Sequence, residues 1–158
     1  MTMNPPRSTR LIMAAGLFVE FAGFLYDTLW HDQHLSEVAI PPGKLLTVHG
    51  GIYFGELLVL AIVLVTLKQR QSRPAVSAAL WGVVAGAIIQ LTGSGLDMWS
   101  HGHGYEKDLY HNTVYVGAAL TVIGYLLLEF FGSRQQRMPD SEAEFEITTS
   151  RERDTAGH

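Results

Sequence analysis

The sequence contains no cysteine, and this absence excludes disulfides, thiolate metal sites and covalently attached c-type haem. Charged residues are also scarce, at 16% of the chain. Lys and Arg are missing altogether from four stretches of mostly apolar residues. These stretches do not alternate between apolar and polar residues as half-buried strands do. Their length and lack of cationic side chains predict segments that lie in a membrane.

The four apolar stretches cover residues 11–30, 45–67, 75–99 and 110–131. A hydrocarbon core of about 30 Å requires about 20 predominantly apolar residues per helix, and each stretch has that length. Because non-alternating runs exclude a β-barrel, the sequence predicts an all-α integral membrane protein. Its residues 1–133 should form a four-transmembrane-helix bundle. The first stretch is too long for a signal peptide and is expected to be retained, and the polar residues 134–158 predict a disordered tail.

Basic residues cluster on one side of the predicted bundle. Short loops rich in Lys and Arg remain in the cytoplasm. The clusters precede the first stretch, join the second to the third and follow the fourth: Arg7, Arg10, Lys68, Arg70, Arg73, Arg134 and Arg137. The distribution predicts that both termini are cytoplasmic. The two His-rich loops then face the periplasm of a bacterial inner membrane.

The chain contains an internal repeat. The first and third stretches end in the matching patterns Gly23-x-x-x-Asp27-x-x-x-His31 and Gly93-x-x-x-Asp97-x-x-x-His101. The second and fourth begin with the matching patterns His49-x-x-x-Tyr53-x-Gly55 and His111-x-x-x-Tyr115-x-Gly117. Two linked pairs in the same order indicate two repeated helical hairpins, related by an axis along the membrane normal. In this alignment Glu20 corresponds to Gln90.

Each hairpin supplies one Asp and two His at the same end of the bundle. The Asp and the first His are four residues apart and therefore share one helix face. Carboxylate and imidazole together suit Cu(II), Zn or non-haem iron. We therefore predict metal ligands at Asp27, His31, His49, Asp97, His101 and His111. Supporting roles are expected for His34, His103, Glu20 and Glu56. The alternative is an Asp–His hydrogen-bonded network that holds the hairpins together.

The segment Asp27-Thr28-Leu29-Trp30-His31, followed by Pro41-Pro42-Gly43-Lys44 and an apolar helix, resembles a known motif. It is similar to the copper-binding D-x-x-W-H…P-x-H segment of the C subunit of particulate methane and ammonia monooxygenases. The resemblance implies that Asp27 and His31 bind copper. The third ligand position falls on Lys44, with His49 or His34 as its replacement. The resemblance covers about thirty residues of the first hairpin and implies a membrane metal site. It does not imply an oxygenase activity.

The sequence thus favours a membrane metal-binding protein that handles copper or belongs to a membrane oxidase, with copper preferred over zinc or iron. A second hypothesis is a b-type cytochrome in which His49 and His111 ligate haem b. A third is a proton- or solute-conducting bundle that uses Glu20 and Glu56. The expected partners are the lipid bilayer and either other membrane subunits or further copies of the chain, not nucleic acid. No pattern identifies a catalytic residue, and the spacing is compatible with one shared metal site or two.

Overall fold

The computed structural model describes residues 5–34, 42–69, 74–103 and 108–136. These residues form four α-helices: α1 (Arg7–Gln33), α2 (Pro42–Gln69), α3 (Pro74–Gly102) and α4 (Asp108–Gln136). Each helix is long and apolar enough to cross a membrane, so the predicted all-α four-helix membrane bundle is confirmed. Most of the predicted tail, residues 137–158, lies outside the described residues, as do the loops at 35–41, 70–73 and 104–107.

The helices extend several residues beyond the apolar stretches at both ends. Their backbone hydrogen bonds continue past the hydrocarbon layer, where polar side chains are no longer costly. Proline occupies the first position of α2 and α3, where its fixed φ angle suits a helix start and no intrahelical N–H is needed. α4 continues through residues 134–136, at the beginning of the predicted tail.

Glycine brings the two helices of each hairpin into backbone contact. A Cβ atom on Gly23 of α1 would lie 2.4 Å from the Ile52 nitrogen of α2. In the second hairpin, a Cβ atom on Gly93 would lie 2.8 Å from the Val114 nitrogen. Such close approach is typical of membrane helices, where small residues let backbones pack by van der Waals contact. The same glycine interface therefore recurs in both hairpins.

The two hairpins meet through α2 and α3, through a smaller contact between α1 and α4, and through side-chain contacts between α1 and α3. Where α1 contacts α3, residues in equivalent repeat positions touch each other. Glu20 pairs with Gln90, and the rings of His31 and His101 lie 5.8 Å apart. Equivalent residues contact each other only near a symmetry axis, so this line of contacts marks the pseudo-twofold axis of the repeat.

The bundle has a polar end and an apolar end. We call the end at which α1 and α3 finish and α2 and α4 begin the site end, because the Asp and His residues lie there. The opposite, closed end is filled by a buried apolar cluster that includes Met13, Val59, Val63, Leu80, Val83 and Leu128. The outer surface is also apolar: Phe18 is 71% exposed and Phe21 67%, as expected for side chains that face lipid.

Candidate metal centre

The first hairpin forms a buried Asp–His–His triad. Asp27 lies on the buried face of α1, one turn before Trp30, and His49 lies in the second turn of α2, one residue beyond the buried Val48. The Asp27 Oδ1 atom is 3.4 Å from His31 Nε2 and 3.1 Å from His49 Nε2. Asp27 and His49 are almost fully buried, and His31 is partly exposed. One α1 carboxylate thus faces an imidazole from each helix of its hairpin.

The second hairpin repeats this arrangement. The Asp97 Oδ2 atom is 3.7 Å from His101 Nε2 and 3.3 Å from His111 Nδ1. Asp97 and His101 are buried, whereas His111 is partly exposed. In both triads the three candidate ligand atoms lie within 4.8 Å of one another. The structure therefore brings together all six predicted ligands, as two groups of three.

These separations suit a single metal ion in each triad. Ligand atoms placed about 2.1 Å from a tetrahedral ion are about 3.4 Å from each other. The measured Asp–His separations run from 3.1 Å in the first triad to 3.7 Å in the second. Each Asp–His pair therefore needs shifts of only a few tenths of an ångström to hold a metal ion between its two ligand atoms. A tetrahedral ion bound by all three residues of a triad would keep a fourth position for water or another ligand.

The first triad has unsatisfied ligand atoms. Asp27 Oδ1, His31 Nε2 and His49 Nε2 are all buried, and none makes a hydrogen bond of acceptable geometry. His49 Nδ1 lies 3.0 Å from the Leu45 carbonyl oxygen. Since a carbonyl only accepts, Nδ1 carries the hydrogen, and the neutral ring presents its lone pair at Nε2. Two acceptors, this lone pair and the Asp27 carboxylate, then face each other, and a cation between them would satisfy both.

The second triad is hydrogen-bonded instead. Asp97 Oδ2 accepts a bond from His111 Nδ1, and His111 Nε2 lies 3.0 Å from the Tyr115 hydroxyl. Because a neutral imidazole has only one N–H, Nε2 accepts a hydrogen from Tyr115 here. A hydroxyl can also accept, so Tyr115 can bind the other tautomer, in which the Nδ1 lone pair faces Asp97 and could coordinate a metal ion beside it. The two triads therefore share their composition but differ in how their imidazoles are oriented.

The two triads are adjacent. The His101 ring centroid is 5.8 Å from that of His31 and 6.3 Å from that of His49. A cavity of about 10 Å³ lies between the hairpins, enough for about one water molecule. Residues of both triads line it, together with three further polar residues, Tyr53, Ser94 and Tyr115. The structure therefore forms two neighbouring sites that border one small cavity with both polar and apolar lining residues.

His34 and His103 lie outside the triads. Each ring packs on the Trp four residues earlier, with centroids 4.2 Å apart for Trp30 and His34 and 4.6 Å for Trp99 and His103. Each Nδ1 also donates a hydrogen bond to the carbonyl of that Trp. These bonds satisfy carbonyls at the ends of α1 and α3. Both histidines therefore lie at the ends of the helices that carry the first Asp and His of each triad.

The position that matches the third ligand of the resembled motif has a different role. The Lys44 ammonium lies over the Trp30 ring, 5.3 Å from its centroid. The imidazole that completes the first triad comes from His49, about one turn further along α2. Between the two replacements considered for Lys44, the geometry favours His49 over His34.

The predicted supporting carboxylates lie deeper in the bundle. Glu20 and Glu56 are buried, each seven residues from a triad member on its own helix. Seven residues correspond to about 10 Å along a helix. Glu20 accepts a hydrogen bond of 2.9 Å from the Gln90 amide. Neither glutamate therefore belongs to the triads themselves.

Sequence reasoning missed Ser94 as part of the site. Its hydroxyl is buried, makes no hydrogen bond with the described residues, and lines the cavity. A signal was present, because Gln90, Ser94 and Asp97 follow the spacing of one helical face. Comparison with protein-family models, curated proteins and solved structures gives no match for the chain.

Proposed function

We propose that this integral membrane protein binds metal ions, copper in preference to zinc or iron, in its two Asp–His–His triads. It handles copper for a membrane oxidase or serves as a subunit of one. The observation that carries this proposal is the first triad, in which three buried ligand atoms face one another without hydrogen bonds. An imidazole lone pair beside a carboxylate is stabilised by a cation between them.

The preference for copper has two supports. Sites of imidazole and carboxylate ligands bind Cu(II) more tightly than the other divalent first-row metals. The D-x-x-W-H sequence at Asp27 to His31 is also similar to the copper-binding segment of the monooxygenase C subunits. The basic clusters at the opposite end of the bundle support a cytoplasmic location for both termini and a periplasmic location for the triads.

The geometry favours a metal ion over the haem alternative. Haem ligation by His49 and His111 would need an open space between α2 and α4, whereas the cavity beside them holds about 10 Å³. Both ring nitrogens of His49 already face protein groups, at Asp27 and Leu45. Conduction through the bundle is also disfavoured, because the closed end is packed with fully buried apolar side chains.

The direct test is the metal content of the purified protein. The chain would be purified in mild detergent, loaded with Cu(II) or Zn(II), washed, and analysed for metal per chain. We expect one ion per intact triad, and the loss of one ion in Asp27→Asn and again in Asp97→Asn. Asn keeps the size of the side chain but removes the charge that an ion requires. Asp32→Asn is the matched control, since Asp32 is exposed at the end of α1 and belongs to neither triad.

Two results would contradict the proposal. The first is a washed wild-type protein that retains no metal, which would favour a hydrogen-bonded Asp–His network. The second is unchanged metal content in both triad variants, which would place the ions elsewhere. Far-ultraviolet circular dichroism of each variant would show that the helices are intact.

A further inference from the structure

A second polar cluster lies in the middle of the bundle, below the triads. Glu20 is 2% exposed, and Glu56 and Gln90 are fully buried. Apart from the Gln90–Glu20 hydrogen bond, the cluster contains only unsatisfied oxygens: Glu20 Oε2, both Glu56 oxygens and Gln90 Oε1. The backbone of Leu91 lies close to Glu56 without a hydrogen bond of normal geometry. The cluster thus has more acceptors than donors.

No basic side chain is available to neutralise these carboxyl groups. The four helices contain no Lys or Arg over residues 11–33, 45–67, 74–102 and 108–133. The other titratable group that faces Glu56 is Tyr53, one turn above it on α2. α3 contributes Gln90 to the cluster, and the α4 residue that packs on Gln90 is Gly117, so neither helix adds a titrating group there. An ionised carboxylate in such surroundings is costly, whereas the protonated acid is neutral and supplies a donor.

On α3, the next buried polar residue from the cluster toward the site end is Ser94. Ser94 lies one turn from Gln90 and one turn from Asp97 on α3, and its unpaired hydroxyl lines the cavity between the triads. Toward the closed end the bundle is filled by Met13, Val59 and the other buried apolar residues of that cluster. We therefore expect a proton that leaves the glutamates to move toward the triads, where Ser94 and the cavity lie, and not through the apolar cluster.

We propose that Glu20 and Glu56 are the charge-compensating groups of the metal centre. Each is a neutral carboxylic acid in the metal-free protein and releases its proton when divalent ions fill both triads. The proposal rests on the proposed metal-binding function. In each release the carboxyl O–H bond breaks, its electron pair stays on the carboxylate oxygen, and the proton passes through the cavity to water at the site end.

The release of both protons is expected because the charges of the metal ions must be balanced. Two divalent ions bring four positive charges to a poorly solvated region, and Asp27 and Asp97 supply two negative charges. The remaining two positive charges equal the charge that Glu20 and Glu56 supply when ionised. A low-dielectric interior favours the arrangement in which these charges sum to zero. With one ion bound, the two aspartates suffice, so the second ion is the one that requires the glutamates to ionise.

The experiment is infrared difference spectroscopy during titration with Zn(II), which is divalent and redox-inert. In the wild-type protein we expect the C=O stretch of two protonated carboxyl groups to disappear as the second zinc equivalent binds. Glu20→Gln and Glu56→Gln should each lose one of these signals. Each variant should also bind the second zinc about tenfold more weakly, from one unit charge at about 10 Å and an effective dielectric constant of about 20. Asp32→Asn, which removes an exposed carboxyl, should match the wild type.

The outcomes separate this proposal from the proposed function. Two zinc ions bound with the protonated-carboxyl signal unchanged would overturn the role of the glutamates and leave the metal-binding function standing. One zinc ion per chain would overturn it as well, because one ion needs no compensation beyond the aspartates. A protein that binds neither zinc nor Cu(II) would contradict the proposed function itself. Since the wild-type titration alone decides these cases, the result does not depend on whether the variants fold.

Discussion

The packing of α1 against α2 should control metal affinity, and Gly23→Ala tests this link. A Cβ atom at Gly23 would lie 2.4 Å from the Ile52 nitrogen and 2.7 Å from the Gly51 carbonyl carbon. Carbon atoms in ordinary contact are about 3.5 Å or more apart, so the helices must separate by about 1 Å. The obstacles are backbone atoms, which cannot rotate out of the way as a side chain can.

The two helices would move apart next to the first triad. Gly23 is one turn before Asp27, and Ile52 is one turn after His49. A 1 Å shift would increase the present 3.1 Å between Asp27 Oδ1 and His49 Nε2 to about 4 Å, whereas metal ligands tolerate errors of about 0.2 Å. We expect metal affinity at the first triad to fall about tenfold or more. Overpacking should also destabilise the protein by about 1–3 kcal/mol.

Affinity would be measured by competition with a metal-chelating dye, and stability by thermal unfolding in the same detergent. Gly50→Ala is the matched control, because a Cβ atom there meets nothing within 4 Å. That control also reports the gain of about 0.5–1 kcal/mol that Ala brings to a helix. If Gly23→Ala matched Gly50→Ala in both affinity and stability, the inference that glycine contact sets the triad geometry would be refuted.

Two further predictions concern the second triad and the closed end. Tyr115→Phe removes the 3.0 Å contact with His111 Nε2 and should weaken the second metal site about 10- to 100-fold, as measured by the same dye competition. Arg10→Gln breaks the 2.7 Å ion pair with Glu129 that joins α1 to α4. It should lower the free energy of unfolding by about 1–3 kcal/mol without changing metal content, as measured by thermal unfolding and elemental analysis.

Each of these two substitutions has a control in which another residue of the same type is changed in the same way. Tyr26→Phe alters a half-exposed tyrosine that lines neither triad, and Arg7→Gln alters an exposed arginine at the start of α1. Equal metal affinity in the two tyrosine variants would show that Tyr115 does not orient His111. Equal stability in the two arginine variants would show that the ion pair with Glu129 contributes nothing measurable.

The sequence predicted the membrane helices well because hydrocarbon imposes a simple rule on every residue that enters it. Each spanning segment must be long, apolar and helical, and the four stretches satisfy this rule without reference to one another. The helix ends were less accurate: α1 begins at Arg7 and ends at Gln33, beyond the predicted 11–30. Hydropathy marks where the lipid ends, but helical hydrogen bonding continues into the polar region.

The repeat also allowed the six residues of the two triads to be predicted. The Asp and His spacing recurs in both hairpins, and the topology places all copies at one end of the bundle. Ser94 was missed because its position on the helix face of Gln90 and Asp97 was its only signal, and a serine on a helix face does not by itself indicate a site. The ion pair of Arg10 with Glu129 was missed because the partners are far apart in the chain, and neither position suggests the other.

By itself, the sequence determined that this is a four-helix membrane protein and that its Asp and His residues gather at one end. Helix length and repeat spacing are local properties, so they can be read along the chain. Only the tertiary structure decided which carboxylate faces which imidazole and which ring nitrogen it faces. That choice depends on how closely glycine lets α1 approach α2, and on a backbone carbonyl at Leu45 that fixes the hydrogen on His49. Distances of a few tenths of an ångström between helices have no signature in residue spacing.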